Sequence, residues 1–89
     1  MNYSKESDFL KALGHPVRLK MVEGLARNKC NVNQIVKKLR LPQSTVSQHL
    51  SILRMHGIIV PEKEGVKTCY RVVSDKARKI VSILKGGGG

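Results

Sequence analysis

The sequence predicts a mainly α-helical domain with one β-hairpin, in the element order ααααββα. Three observations lead to this prediction. Apolar residues recur every three or four positions in five stretches, which is the period of an amphipathic helix. Pro42 interrupts this pattern between the third and fourth stretches. Residues 58–73 instead hold two β-prone runs around a Glu64-Gly65 turn signal, which favours a hairpin.

The first two helices are delimited by residues with known preferences for helix ends. Ser7 is expected to cap a first helix that runs to about Leu13. Gly14-His15-Pro16 then ends that helix and starts the second, because glycine suits a helix C-terminus and proline suits the first helical position. The second helix is expected to run to about Arg27.

The third and fourth helices form a pair joined by a tight turn. The fourth is expected to begin at Pro42 or Gln43, because proline pre-sets the first helical turn. Its inward residues are Val46, Leu50 and Leu53. The opposite face and its flanks carry short, uncharged side chains, namely Gln43, Ser44, Thr45, Ser47, Gln48 and Ser51. Such side chains can hydrogen-bond base edges in the major groove, and the alternative is an ordinary solvated helix face.

The charge of the chain favours an anionic partner. The 89 residues include seventeen Lys and Arg but only six Asp and Glu, which gives a formal net charge of +11. No acidic residue lies between Gly24 and Pro61, and the basic residues there include Arg27 and Lys29. Those nearest the fourth helix in sequence are Lys37, Lys38, Arg40 and Arg54, which we expect beside DNA phosphates.

The hairpin is predicted to act as a wing beside the helix pair. Lys63 and Lys67 flank its tip, where they can contact the DNA backbone or the minor groove. Ser74 is expected to cap a last helix that follows the hairpin. A helix-turn-helix followed by a basic hairpin is a winged helix-turn-helix, the fold class that we predict.

The length of the chain indicates one domain over residues 1–85, because 89 residues can build one modest core. The glycines at 86–89 are expected to be a tag remnant, a linker or unassigned residues written as glycine. Only three residues are aromatic, too few for a platform that stacks single-stranded bases. We find no signal peptide and no run long enough to span a membrane, so we expect a cytoplasmic protein without a membrane partner.

Three segments together resemble the bacterial arsenic-repressor (ArsR) family of winged-helix regulators. They read KALGHPVRLKMVEGL, LPQSTVSQHLSILRMHGII and EKEGVKTCYRVV, in the family's order and spacing. The resemblance implies a homodimer that binds an inverted-repeat operator in double-stranded DNA and represses transcription until an inducer releases it. It places base contacts on five of the residues that the periodicity turns outward, with His49 at the edge of the interface. These five are Gln43, Ser44, Thr45, Ser47 and Gln48.

The dimer is expected to form through the first and last helices, as the resemblance implies. The last helix carries an apolar stripe with little core left to cover in so short a chain. The predicted interface residues are Phe9, Leu10, Leu13, Ala77, Ile80, Val81 and Leu84. The alternative is that the stripe packs on the second helix of its own chain.

The metal-binding patterns of the family are missing from this sequence. Cys30 precedes the third helix without a second cysteine near it, and no histidine lies on the last helix. The three histidines, His15, His49 and His56, have no ligand spacing with either cysteine. We therefore expect no metal site and no cofactor.

Cys30 and Cys69 suggest a thiol response instead. Cys30 lies in a segment that winged helices often pair as a short strand against the wing, and Cys69 lies on the wing's second strand. A disulfide or polysulfide bridge there would tie the wing to the helix pair and make the protein a thiol-redox or reactive-sulfur sensor. The alternative is two inert, buried thiols.

Other functions remain as alternatives. A metal-responsive repressor and a repressor without an inducer are the nearest. A winged helix that binds protein or RNA is a more distant alternative, because such modules usually lose the polar face or the positive field. The sequence contains neither a phosphate-binding loop nor a nucleophile with a base at recognisable spacing. We therefore do not expect an enzyme.

Overall fold

The computed structural model describes residues 2–30 and 32–86, and these form five helices and one antiparallel hairpin in the predicted order ααααββα. The predicted fold class is therefore confirmed. The elements are α1 (Ser4–Leu13), α2 (Pro16–Arg27), α3 (Val32–Leu39), α4 (Gln43–Met55), β1 (Ile59–Glu64), β2 (Lys67–Val72) and α5 (Asp75–Leu84). Of the predicted glycine tail, only Gly86 lies within the described residues. No helix of the described chain is long and apolar enough to cross a bilayer.

Helix α1 begins one turn earlier than the sequence predicted. Ser7 lies inside the helix, and its N–H donates to the carbonyl of Tyr3. The first turn is instead hydrogen-bonded to the side chain of Asn2. Its Oδ1 accepts from the backbone N–H of Ser4 at 2.9 Å and from the Oγ of Ser4 at 2.7 Å. The prediction of Ser7 as the cap was wrong because Asn2 supplies the acceptor nearer the terminus.

The starts of the other capped helices agree with the sequence. Pro16 opens α2, and Nδ1 of His15 accepts a hydrogen bond from the backbone N–H of Val17 at 3.1 Å. Ser74 caps α5 through its Oγ, which accepts from the N–H of Ala77 at 3.1 Å. Each acceptor satisfies one of the backbone donors that a helix N-terminus leaves without a partner.

The core lies around α2, which contacts α1, α3, α4, α5 and β2. Its fully buried Met21 and Val22 meet apolar residues of α4, the hairpin and α5. The residues contributed by those elements are Val46, Leu50, Leu53, Ile58, Ile59, Val72, Ala77 and Val81. This burial fixes α4 and the hairpin against the same central helix.

Three of the predicted interface residues belong to this core. Leu13, Ala77 and Val81 are buried within their own chain, so they attach α1 and α5 to it. Their burial contradicts the prediction that these three lie in the dimer interface. For Ala77 and Val81, on α5, the alternative of packing on the second helix of the same chain applies. Leu10 and Leu84 remain more than half exposed, and Phe9 and Ile80 are half-buried.

The hairpin pairs Ile59 with Val72 at its base and Glu64 with Lys67 at its tip. Gly65 turns the chain there with a φ of 65°, a conformation that glycine adopts without a steric penalty. Pro61 faces Tyr70, whose N–H points out of the hairpin and donates to the carbonyl of Lys29 at 2.8 Å. Because this pair exchanges no ladder bonds, the missing N–H of proline costs the sheet nothing.

Candidate DNA interface

Helix α4 presents a polar surface opposite its buried side. Val46, Leu50 and Leu53 are buried, which turns the other side of the helix outward. The residues exposed there are Gln43, Ser44, Ser47, Gln48 and Ser51, and Thr45 is half-buried beside them. We call these six the reading face. It carries hydrogen-bond donors and acceptors but no formal charge.

Four cations lie near the reading face along the chain. Lys37 and Lys38 are on α3, Arg54 is on α4, and Arg40 lies in the turn between the two helices. All four are exposed, and none forms an ion pair within the part of the chain that the structure describes. Arg40 holds a φ of 54°, which is uncommon outside glycine and permits the tight turn.

The wing tip also carries exposed cations. Lys63 lies opposite Thr68, and Lys67 lies opposite Glu64 in the hairpin register. Both lysines are exposed and, within residues 2–30 and 32–86, neither makes a salt bridge. They are therefore available to an anionic partner beside the reading face.

Two other cations from the segment without acidic residues, Arg27 and Lys29, are paired with carboxylates. Arg27 contacts Glu23 at 2.9 Å. Nζ of Lys29 lies 2.8 Å from Glu62 and 2.7 Å from Glu64, and Nε of Arg71 lies 2.6 Å from Glu62. Arg27 and Glu23 are one helical turn apart, whereas Lys29 and Glu62 are distant in sequence and meet only in the folded chain.

These pairs shift two pKa values. Hydrogen bonds from Lys29 and then Arg71 hold the pKa of Glu62 below its usual value. Hydrogen bonds to Glu62 and Glu64 raise the pKa of Lys29 above its usual value. Both groups are therefore charged through the neutral range, and the contact between the wing and Lys29 persists there.

A disulfide joins Cys30 to Cys69, with the sulfurs 2.06 Å apart and the Cα atoms 4.4 Å apart. The short strand expected before α3 is replaced by a turn at residues 29–30, which is held to β2 by the backbone hydrogen bond from the N–H of Tyr70 to the carbonyl of Lys29. Covalent, backbone and ionic contacts thus all connect the wing to the segment between α2 and α3. Cys69 is fully buried, whereas Cys30 is partly exposed.

The structure also brings together three residues that the sequence did not connect. The rings of His15 and His49 lie 4.5 Å apart between centroids, and NH1 of Arg18 lies 3.1 Å from Nδ1 of His49. His49 is half-buried on the side of α4 that faces α2. Burial, then the charges of His15 and Arg18, lower its pKa below the usual value. His56 is exposed at the end of α4.

Within the described residues, no three His, Cys, Asp or Glu side chains are grouped closely enough to hold a metal ion. The reading face supplies uncharged hydrogen-bonding groups, and the neighbouring helices, turn and wing tip supply exposed cations. Such a surface, on a helix-turn-helix followed by a hairpin, defines the class of winged-helix DNA-binding regulators.

Comparisons with known proteins identify the family. The family model "Bacterial regulatory protein, arsR family" matches residues 15–60. The transcriptional repressor PagR of Bacillus anthracis is 38 % identical over 86 residues, which cover 94 % of this chain and 85 % of PagR. Its crystal structure matches this fold with a TM-score of 0.77. An uncharacterised helix-turn-helix regulator of Methanocaldococcus jannaschii is 37 % identical over 83 residues, covering 92 % and 93 % of the two chains.

A third relative is the transcriptional activator HlyU of Vibrio cholerae. Its reduced structure is 31 % identical, covers 93 % of this chain and 87 % of HlyU, and gives a TM-score of 0.83. This chain belongs to the ArsR family of winged helix-turn-helix proteins. It is a DNA-binding transcription regulator and not an enzyme.

Proposed function

We propose that two copies of this chain bind an inverted-repeat operator through their α4 helices and repress transcription there. The observation that carries this proposal is the uncharged reading face of α4, with exposed cations on the neighbouring elements. Phosphate contacts fix the position of a protein on DNA, and contacts to base edges select the sequence. The chain supplies side chains of both kinds on adjacent elements.

Gln48 is the central residue of the reading face. It is exposed near the middle of α4, one turn from Ser44 and Ser51. A glutamine amide can bond N6 and N7 of adenine together, whereas serine and threonine can bond either base type. His49 is not part of the reading face, because its Nδ1 lies within hydrogen-bond distance of Arg18 and its ring packs on His15.

The base-reading role is tested by Gln48→Ala. The operator is selected from a randomised duplex pool with the wild-type protein, and affinities for operator and random DNA are measured by fluorescence anisotropy. Discrimination between the two should fall by about 1–3 kcal/mol, because a base contact is lost while phosphate contacts remain. Gln34→Ala, an exposed glutamine on α3, is the control and should leave discrimination unchanged. Equal weakening on both DNAs would refute the assignment.

The phosphate role is tested by Lys38→Ala and Lys67→Ala. Each variant should weaken operator and random DNA to a similar degree. Each should also make the slope of log affinity against log salt shallower by about one, because one fewer counterion is released. A variant that changed discrimination while the salt slope stayed constant would argue for a base contact instead.

Dimerisation through α1 and α5 follows from what the chain leaves exposed. Tyr3 and Leu10 on or next to α1, and Ile83 and Leu84 on α5, expose more than half of their surface. Two α4 helices related by a two-fold axis meet successive major grooves about 34 Å apart, so the operator should be an inverted repeat. PagR and other relatives are named as repressors, which supports repression as the outcome.

We also propose that the Cys30–Cys69 pair makes operator binding responsive to oxidants. Formation of the bond removes two electrons and two protons from the thiols, as when hydrogen peroxide is reduced to two molecules of water. The bond fixes the base of the wing to the segment before α3. A wing that must adjust as Lys63 and Lys67 reach the DNA loses freedom when the bond forms, so the reduced protein should bind more tightly.

The redox response is tested with the same operator. Peroxide or polysulfide should weaken operator binding reversibly, and dithiothreitol should restore it. Cys30→Ser should bind like the reduced wild type and ignore both reagents. Wild-type binding that is indifferent to oxidation would leave a repressor whose thiols serve stability alone, and loss of reduced-state binding in Cys30→Ser would make Cys30 a structural residue.

A further inference from the structure

One side chain contacts both the end of α1 and the side of α4 that faces α2. Arg18, in the first turns of α2, donates through Nε to the carbonyl of Ala12 and through NH2 to the carbonyl of Lys11 at 3.2 Å. Its remaining nitrogen, NH1, lies 3.1 Å from Nδ1 of His49. The three guanidinium nitrogens therefore contact three different acceptors, two on α1 and one on α4.

Two of the acceptors are carbonyl oxygens in the last turn of α1, where such oxygens lack the usual donor four residues further along the helix. The carbonyl of Lys11 also accepts from the N–H of Gly14 at 3.2 Å, so Arg18 is its second donor. Nδ1 of His49 accepts only when the ring is neutral and carries its proton on Nε2. The neighbouring His15 is fixed as well, because its own Nδ1 accepts from the N–H of Val17 and caps α2.

We propose that Arg18 is a positioning residue, which sets the angle of α4 relative to α1 and thereby the spacing of the two reading helices in the dimer. This inference rests on the proposed function, in which α1 joins the two copies and α4 reads DNA. Apolar contacts hold α4 to the core without direction, whereas a planar guanidinium bound at three points fixes orientation. Lysine has one nitrogen and cannot reproduce this geometry.

The test measures spacing preference as well as affinity. An inverted-repeat duplex selected with the wild-type protein is compared with duplexes whose half-sites are one base pair closer together or farther apart. Arg18→Met should bind the selected duplex about tenfold more weakly and should discriminate between the three spacings at least about fivefold less than the wild type. Arg27→Met removes the same charge from the exposed end of α2 and should keep the wild-type preference.

Two further variants keep the test decisive if Arg18→Met does not fold. His49→Ala leaves both α1 acceptors to Arg18 and removes its link to α4, together with the contact between the rings of His49 and His15. It should flatten the spacing preference in the same way. Arg18→Lys should rescue affinity for random DNA, because the charge returns, but not the spacing preference. If His49→Ala or Arg18→Met discriminates between the three half-site spacings as strongly as the wild type does, the proposal is overturned.

A measurement without DNA separates this proposal from the proposed function. Burial, then the charges of His15 and Arg18, disfavour the protonated ring, so the pKa of His49 followed by NMR should be below its usual value in the wild type. It should rise in Arg18→Met, which removes the charge of Arg18, and stay unchanged in Arg27→Met. An unchanged value in Arg18→Met shows that the contact is absent, whatever the operator. If the wild type selects no inverted repeat, dimeric DNA reading fails, and with it the spacing role of Arg18.

Discussion

Reduction of the Cys30–Cys69 disulfide should lower the free energy of unfolding by about 4 kcal/mol. The cysteines are 39 residues apart, and closing a loop of that length removes about this much conformational freedom from the unfolded chain. Small domains are stable by only about 5–15 kcal/mol, so the bond is a large part of the total. The melting temperature should fall by roughly 15–30 °C.

Guanidinium unfolding with and without dithiothreitol measures this effect on an unchanged sequence. Cys30→Ser is the matched control. Cys30 is the more exposed of the two cysteines, so serine is tolerated there, and the buried Cys69 stays in place. Its midpoint should equal that of the reduced wild type and should not respond to the reductant. Equal midpoints for the oxidised and reduced wild type would contradict the prediction.

Ile83→Asp combined with Leu84→Asp should give a folded monomer that has lost tight operator binding. The two side chains are 73 % and 64 % exposed in the single chain, so charging them leaves its core intact. It places four carboxylates in the proposed interface between two copies, where burial of unpaired charge is costly. A monomer binds one half-site with one α4 helix, whereas a dimer binds both half-sites at once. Loss of the dimer should therefore lower the affinity for the operator at least about 100-fold.

Sedimentation gives the oligomeric state of this variant, and anisotropy gives its affinity for the operator. Ser82→Asp places a charge on the same helix at an exposed polar position, and it should remain dimeric. A folded dimer that survives both aspartates would place the interface elsewhere. Binding to a single half-site should be nearly unchanged, because the reading face is untouched.

The sequence predicted the elements whose signals are local. Pro16 and Ser74 mark the starts of α2 and α5 through preferences that act within one helical turn. The spacing of Val46, Leu50 and Leu53 correctly oriented α4, because the period of a helix determines which residues share a face. The exposed side chains of the reading face follow from the same period.

The contacts that sequence reasoning missed join residues far apart in the chain. Arg18 and His49 are 31 positions apart, and Lys29 and Glu62 are 33 apart. A cation looks available in the sequence until the fold brings a carboxylate to it. The cap by His15 was missed for a different reason, since the residues that usually cap helices are serine, threonine, aspartate and asparagine.

The disulfide closes a covalent ring from residue 30 to residue 69. The ring contains α3, α4, β1 and the wing tip, and therefore every residue proposed to contact DNA. Helices α1, α2 and α5, which carry the proposed pairing surface, lie outside it. The proposed DNA contacts and the proposed pairing surface are thus encoded in separate stretches of the chain, and Arg18 of α2 would influence only the spacing of the half-sites. After gene duplication, a copy can acquire a new operator through substitutions inside the ring while it still pairs with its parent.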